Sequence, residues 1–485
     1  MPGSIAVTRM PGRKEKSIEV RIQMRKFIGD KKFYKMVLAV AVPIMVQNGI
    51  TNFVSLLDNI MVGRVGTEPM SGVAIVNQVL LVFNLSIFGA VSGAGIFGAQ
   101  FFGCKDHKGV RDTFRFKVYI CTALTIVGIV ILSCFGKQLI ALYLHGENNA
   151  GELEAALRYG KGYLLVMLTG LFPFAVEQVY TSTLRECGET VVPMKAGIAA
   201  VLVNLGLNYL LIFGNFGFPE LGVEGAAIAT VISRYVQAAI VIIWTHRHAD
   251  KMPFITGVYR DPKVPMKLTG NIIVKGTPLM INEILWAAGI AFLMQCYSYR
   301  GLNAVAALNI STTISNLFNV VFLALGSAIA IIVGQLLGAG KMEEARQTDT
   351  KLIAFSVASC LVLGSILAVL APLFPMLYKT TQEVKDLAAV FIRIAALCMP
   401  LAGFMHASYF TLRSGGKTIV TFLFDSVFLW CVTVPLAYCL SRFTGLHIVP
   451  LYLCCQLIDI IKCIIGFVLL KKGVWINNIV AATGD

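Results

Sequence analysis

The chain has 485 residues, 57% of them hydrophobic and 14% charged, with a mean hydropathy of +0.76. A soluble domain of that length has no use for so much apolar surface, which leaves an integral membrane protein. The formal net charge of +15 would point to nucleic acid in a soluble protein, but here its distribution over the loops makes it a topology signal instead.

A basic, polar stretch runs to about Lys35 without a short apolar region or a small-residue cleavage site, so it does not read as a cleavable signal peptide. A bilayer core of roughly 30 Å takes about 20 apolar residues per helix. On that length, twelve spans are predicted. The first six are at about 34–60, 70–102, 114–136, 158–182, 192–213 and 222–245. The second six are at about 270–298, 304–338, 351–377, 386–411, 418–440 and 447–470. Pro43 and Pro278 lie well inside the first and seventh spans and should bend them.

Thirty-one of the 41 lysines and arginines fall on the side of the N-terminal tail and eight on the other, with Arg234 and Arg393 inside spans. Both termini are therefore expected in the cytoplasm of a plasma (inner) membrane, with the basic charge facing anionic lipid rather than nucleic acid. The expected organisation is a basic tail at 1–33, an N-lobe at 34–245, a basic linker at 246–269, a C-lobe at 270–472 and a tail at 473–485. The twelve cysteines show no C-x-x-C spacing and lie mostly singly in apolar runs, as small buried hydrophobes do.

The two lobes repeat. Moving residues 43–113 forward by 235 positions sets Pro43 on Pro278, Gly66 on Gly301, Asn84 on Asn319, Gln100 on Gln335 and Arg111 on Arg346. Thr183-Leu184-Arg185-x-x-Gly188-x-Thr190 returns 228 positions on, at Thr411-Leu412-Arg413-x-x-Gly416-x-Thr418. Pairings of Pro, Gly, Asn, Gln and Arg are not what chance matches between greasy segments give, so the chain is a tandem duplication. Six spans per repeat is even, so both halves enter the membrane the same way. The fold class is an all-α membrane protein, with twelve transmembrane helices in two six-helix lobes related by a pseudo-two-fold axis along the membrane normal.

Ionisable residues within spans are costly in lipid and mark candidate sites. Asp58 and Glu283 have no basic residue three or four positions away. Asp58 is either functional or a hydrated helix end, whereas Glu283 must face a cavity, carry a proton or bind a cation. Asn204 and Asn208 are one turn apart on one face, as ligands to a proton or Na⁺, or as helix–helix glue. Glu177 either reaches Arg185 or lines the cavity, which Gln47 and Asn282 also line. Among the remaining candidates, Asp459 and Lys462 are spaced for a local ion pair. Arg234 aligns with Lys462 in a scaffold role toward the inner surface, and Asp425 either caps or pairs. The histidines show no metal spacing, no G-x-x-x-x-G-K-[ST] loop appears and no catalytic constellation is present, so neither an enzyme nor a directly ATP-driven pump is expected.

Several features together resemble the multidrug and toxic compound extrusion (MATE) transporters over residues 34–475. These are Pro43 with Asp58-x-x-Met61-Val62-Gly63-x-x-Gly66, Gly98-Ala99-Gln100-x-x-Gly103 with Gly334-Gln335-x-x-Gly338, and Leu-Arg-x-x-Gly-x-Thr at 184–190 and 412–418. The resemblance implies alternating access and export of small organic cations against H⁺ or Na⁺, with no other cofactor and as a monomer. Asp58 matches the first-helix aspartate of the family's N-lobe cation site. Asn204 and Asn208 match its partners, although members that rely on this site often carry Asp where Asn208 stands. Glu283 matches the seventh-helix glutamate of the C-lobe site. The tenth-helix aspartate that accompanies it in some members is absent from Pro400-Leu401-Ala402-Gly403-Phe404-Met405-His406. The alternatives are a lipid-linked oligosaccharide flippase, which wants a strongly basic cavity, and a non-transporting membrane receptor or scaffold.

Overall fold

A computed structural model describes residues 27–142, 150–378 and 380–481. Tail residues 1–26 and 482–485, together with His145 and Lys379, lie outside it. Among the described residues there is no strand, and nearly all of the chain is helix. The N-lobe is α1 (Lys31–Gly63), α2 (Thr67–Gly103), α3 (His107–Ala141), α4 in two pieces (Ala150–Thr169 and Leu171–Glu186), α5 (Val191–Phe213) and α6 (Gly222–Arg247). The C-lobe is α7 (Met266–Ser298), α8 (Leu302–Gly338), α9 (Met342–Leu370), α10 (Gln382–Ser414), α11 (Thr418–Phe443) and α12 (Ile448–Lys471). Eleven of these are long and apolar enough to cross a membrane singly, and the two pieces of α4 make the twelfth.

The duplication is visible in the helix bounds. α1 and α7 both run 33 residues, α2 and α8 both run 37, and each pair begins and ends at the 235-residue offset. The glycines before α2 and α8 explain one of the conserved pairs. Gly66 and Gly301 have φ of 148° and 100°, backbone angles that side chains rarely tolerate, and each starts a helix immediately after a tight reversal. Pro43 and Pro278 sit inside α1 and α7 without interrupting either helix.

The break falls in the fourth span rather than in the first or seventh. α4 bends by 47° at Gly170. Pro173 has no N–H for the carbonyl four residues back, that of Thr169, which instead accepts the Tyr235 hydroxyl at 3.3 Å. The Gly170 carbonyl accepts Nη1 of Arg234 at 3.2 Å, and the guanidinium lies 5.0 Å from the Phe174 ring. Arg234 is thus halfway along α6, holding the break open, rather than at the inner surface. α10 carries Pro400 at nearly the equivalent place and stays continuous.

Each lobe has a hydrophobic core. That of the N-lobe includes Phe97, Phe114, Leu171 and Leu184 and also takes in Leu268, Ile272 and Leu279 of α7. That of the C-lobe includes Leu293, Ala307, Phe391 and Leu451. A third cluster, with Ala41 and Ile44 of α1 against Ala324 and Ala328 of α8, seals the seam between the lobes. Residues such as Ile126, Leu202, Leu361 and Ile464 expose apolar side chains on the outside of the bundle, the surface that lipid wets.

Candidate functional site

In the N-lobe, the three residues expected to form a site come together. Asn208 of α5 donates from Nδ2 to Oδ1 of Asp58 on α1 at 2.6 Å and to Oδ1 of Asn204 at 3.1 Å. Asn204 in turn donates to the Thr230 hydroxyl of α6 at 3.3 Å. Both asparagines are buried, because a one-turn spacing sets them on the same inward face of α5, while Asp58 is half-buried near the far end of α1. The ion pairs among the described residues do not include Asp58. Among the described residues its carboxylate is met by the Asn208 amide, whose Oδ1 is buried with no hydrogen-bond partner. A carboxylate and two amide oxygens are the donors that a proton or a hard monovalent cation accepts.

The C-lobe network has different chemistry. Asp425 of α11 pairs with Lys462 of α12 at 2.6 Å and accepts Nδ2 of Asn282 at 3.0 Å. Asn282, fully buried, also accepts the N–H of Ser426 at 3.2 Å and its hydroxyl at 2.7 Å. Asp425 sits in a wide π-helical turn, Leu423–Val427, where α5 at the equivalent level is regular helix. The local pair expected between Asp459 and Lys462 is not made, because the lysine reaches across to Asp425 instead. Glu283 is half-buried beside the Tyr409 hydroxyl, within electrostatic reach of Arg413 and Asp425. His406 packs against Phe322 with the rings tilted and their centroids 4.5 Å apart, and it bonds to its own helix, so the tenth-helix stretch supplies no second carboxylate.

Between the lobes lies a cavity of about 120 Å³, lined from both sides by Ser92, Thr181, Arg185, Ser327, Phe410 and Arg413, among others. Glu177 does not pair with Arg185. It is buried, accepting Thr181 at 2.6 Å, Gln178 at 2.9 Å and Gln237 at 3.0 Å. Arg185 instead donates to Oε1 of Gln47 at 2.5 Å, and Arg413 reaches over to Ser92 on the opposite lobe. Sequence reasoning had placed both arginines in loops, yet each occupies the last turn of its helix and faces inward. Lys117, inside the third predicted span, also enters the inner-side charge count. It lies inside α3, fully buried, and pairs with Glu186 at 2.6 Å while bonding Ser182 and Thr183. A basic residue at the end of a span contributes to a loop count wherever it points, so charge counting had no means of finding these three.

The lobes meet at the end that carries the α2–α3 and α8–α9 turns. Nε2 of Gln100 donates to the Ser414 carbonyl at 2.9 Å, and Nε2 of Gln335 donates to the Glu186 carbonyl at 2.8 Å. Each glutamine reaches the last turn of the other lobe's helix, as a two-fold relation requires. Gly103 and Gly338 complete the crossing, because a side chain on either would occupy the place of the carbonyl of Gln335 or Gln100. The hydrogen bonds between lobes among the described residues lie at this end or around Ser92, so the cleft is shut on this side.

The MatE family profile matches residues 43–210 and again 278–439, one match per repeat. The Probable multidrug resistance protein NorM of Thermotoga maritima is 25% identical over 418 residues, which cover 84% of this chain and 86% of that protein. The Probable multidrug resistance protein YoeA of Bacillus subtilis is 25% identical over 416 residues, covering 85% and 88%. Among solved structures, the fold is similar to that of a multidrug resistance transporter in an outward-facing conformation, with a TM-score of 0.81 at 19% identity, covering 92% of this chain and 97% of that one. It is likewise similar to the transporter VcmN of Vibrio cholerae, with a TM-score of 0.82 at 19% identity and coverage of 91% and 97%.

Proposed function

Because the chain belongs to the MatE family of multidrug efflux transporters, we propose that it exports organic cations by antiport with H⁺ or Na⁺. It is a multi-pass membrane transporter and not an enzyme. Our reading sets it in the plasma membrane as a monomer, with both termini in the cytoplasm, as the lysine and arginine distribution suggests. The shut end then faces the cytoplasm, and the cleft opens outward.

The observation that carries the reading is Asp58, a carboxylate bonded to the Asn208 amide and without an ion-pair partner among the described residues, beside an amide oxygen that is likewise unpartnered among them. An ion arriving from outside binds there and neutralises the carboxylate. Coupling follows if that ion and the exported compound stabilise different arrangements of the two lobes, since a ligand shifts an equilibrium only by its differential affinity. Glu283, near Tyr409 in the C-lobe, is the carboxylate positioned to compensate a cationic drug on its way through the cleft. The test is ethidium efflux from proteoliposomes with pH and Na⁺ gradients imposed separately. Efflux indifferent to both gradients would sink the antiport reading.

A further inference from the structure

Gln100 and Gln335 are matched by the repeat, but their surroundings are not. Gln335 makes one bond across the lobes. Gln100 makes three, and two of them go to the segment that follows α12. Its Nε2 donates to the Asn477 carbonyl at 3.2 Å as well as to Ser414, and its Oε1 accepts the N–H of Ile479 at 2.9 Å. Gln100 is fully buried, so these bonds are shielded from water.

The segment is anchored on both lobes. Trp475 is buried in the cluster that seals the α1–α8 seam, and its carbonyl occupies the place where a side chain on Gly415 would stand. Nδ2 of Asn478 donates to the Gly338 carbonyl of α8 at 3.2 Å, while its Oδ1 accepts the N–H groups of Val480 and Ala481 and fixes the turn. Ile479 and Val480 then bury in the cluster that holds Phe97 and Phe101 of α2 together with Leu268 and Ile272 of α7, and Ile479 also packs against Gly416. The equivalent segment after α6 goes elsewhere. It folds onto α3 of its own lobe, where Arg111 and Arg115 hold the carbonyls of Phe254, Gly257 and Val258. One lobe's exit segment therefore crosses the seam and the other's does not.

We propose that residues 474–480 are a strap that holds the α2–α8 end shut, with Gln100 as the positioning residue that receives it. Opening this end separates α2 from α8, and the strap leaves with the C-lobe to which α12 joins it. Its two bonds to Gln100 and the burial of Ile479 and Val480 must then be given up together. The strap biases the transporter toward the arrangement with this end closed, and it makes the two halves of a duplicated gate unequal. The proposal rests on the rocking-lobe reading above.

The experiment places spin labels on non-canonical residues at Lys105 and Lys341, exposed positions on the two turns flanking the crossing, so that the twelve native cysteines remain untouched. Distances are measured in nanodiscs with and without ethidium. Gln100→Ala should raise the long-distance population about fivefold, and Gln335→Ala, which loses one bond, should raise it clearly less. Ile479→Pro, which removes the donor N–H, and Asn478→Ala, which frees the turn from Gly338, should each raise it about threefold while both glutamines stay in place. If Gln100→Ala shifts the distances but neither strap variant does, closure runs through Ser414 alone and the strap is overturned. A wild-type distance that responds to ethidium, with every variant unchanged from it, also overturns the strap while leaving rocking intact. A wild-type distance that never responds overturns both.

Discussion

Replacing Asp58 with Asn keeps the shape of the N-lobe site and removes its charge. In the native site Asn208 donates to Oδ1 of the carboxylate at 2.6 Å, and an amide oxygen at the same place can accept that bond. The fold should therefore survive at a cost of about 1 kcal/mol, the difference between a charged and a neutral acceptor. The affinity for the driving cation, H⁺ or Na⁺, should not survive. A unit charge about 4 Å from a carboxylate gains about 4 kcal/mol at the effective dielectric constant of a protein near its surface. That is about three decades of binding, and partial exposure of Asp58 lowers it toward one or two. The Asp58→Asn variant should thus bind ethidium at equilibrium about as the wild type does. In proteoliposomes it should no longer accelerate efflux when an acid-outside or high-Na⁺-outside gradient is imposed. Both quantities are read on one preparation, so loss of folding and loss of coupling separate cleanly. Wild-type, gradient-driven efflux by Asp58→Asn would refute the coupling role and make Asp58 a hydrated helix end.

Lys462→Met leaves Asp425 without its counter-charge in a largely buried site, and should cost about 3–5 kcal/mol, seen as a lowered melting temperature in detergent. The double variant with Asp425→Asn should recover more than half of that loss, and failure to recover would mean that the lysine matters for something other than the pair. Glu283→Gln should slow efflux of cationic dyes by about tenfold while sparing neutral ones, since only the former use its charge. Equal loss for both dye classes in matched efflux assays would assign Glu283 a structural part instead.

The span count was legible because bilayer thickness sets a length that any apolar run either meets or misses, and the lobes were legible because the duplication kept residues that geometry requires. Gly66 and Gly301 survive for their backbone angles, Gly103 and Gly338 for the close crossing, and Gln100 and Gln335 for reaching each other's helices. The grouping of Asp58 with Asn204 and Asn208 was legible for a narrower reason, since helix periodicity fixes the shared face of the asparagines and Asp58 stands out as an in-span carboxylate, but only the family resemblance joined the two. What stayed hidden depended on neighbours in space. Spacing along α12 favoured Asp459 for Lys462, whereas packing of α11 against α12 brought Asp425 closer. The break in α4 was written in Pro173, whose missing N–H frees the Thr169 carbonyl four residues back. The crossing strap had no signal at all, because the sequence after α12 carries neither a repeat partner at the gate nor a run of apolar residues long enough to register.

A duplicated scaffold with unequal polar contents suggests which lobe handles the driving ion. Asp425 already has Lys462 at 2.6 Å and an asparagine on its other oxygen, so a further cation there would displace a lysine held in a largely buried site. Position 197, its counterpart in the N-lobe, is glycine, and Gln47 packs against the space a side chain would take. Position 234, the counterpart of Lys462, is an arginine turned toward the Gly170 carbonyl at the α4 break. The N-lobe has therefore given up the structural ion pair at this level and kept a lone carboxylate nearer the open end. A charge with no counter-charge is an unfavourable thing to maintain unless something mobile neutralises it during the cycle. In the proposed antiport cycle, that asymmetry favours Asp58 as the site of the driving ion, with the C-lobe network as the rigid half against which the N-lobe moves.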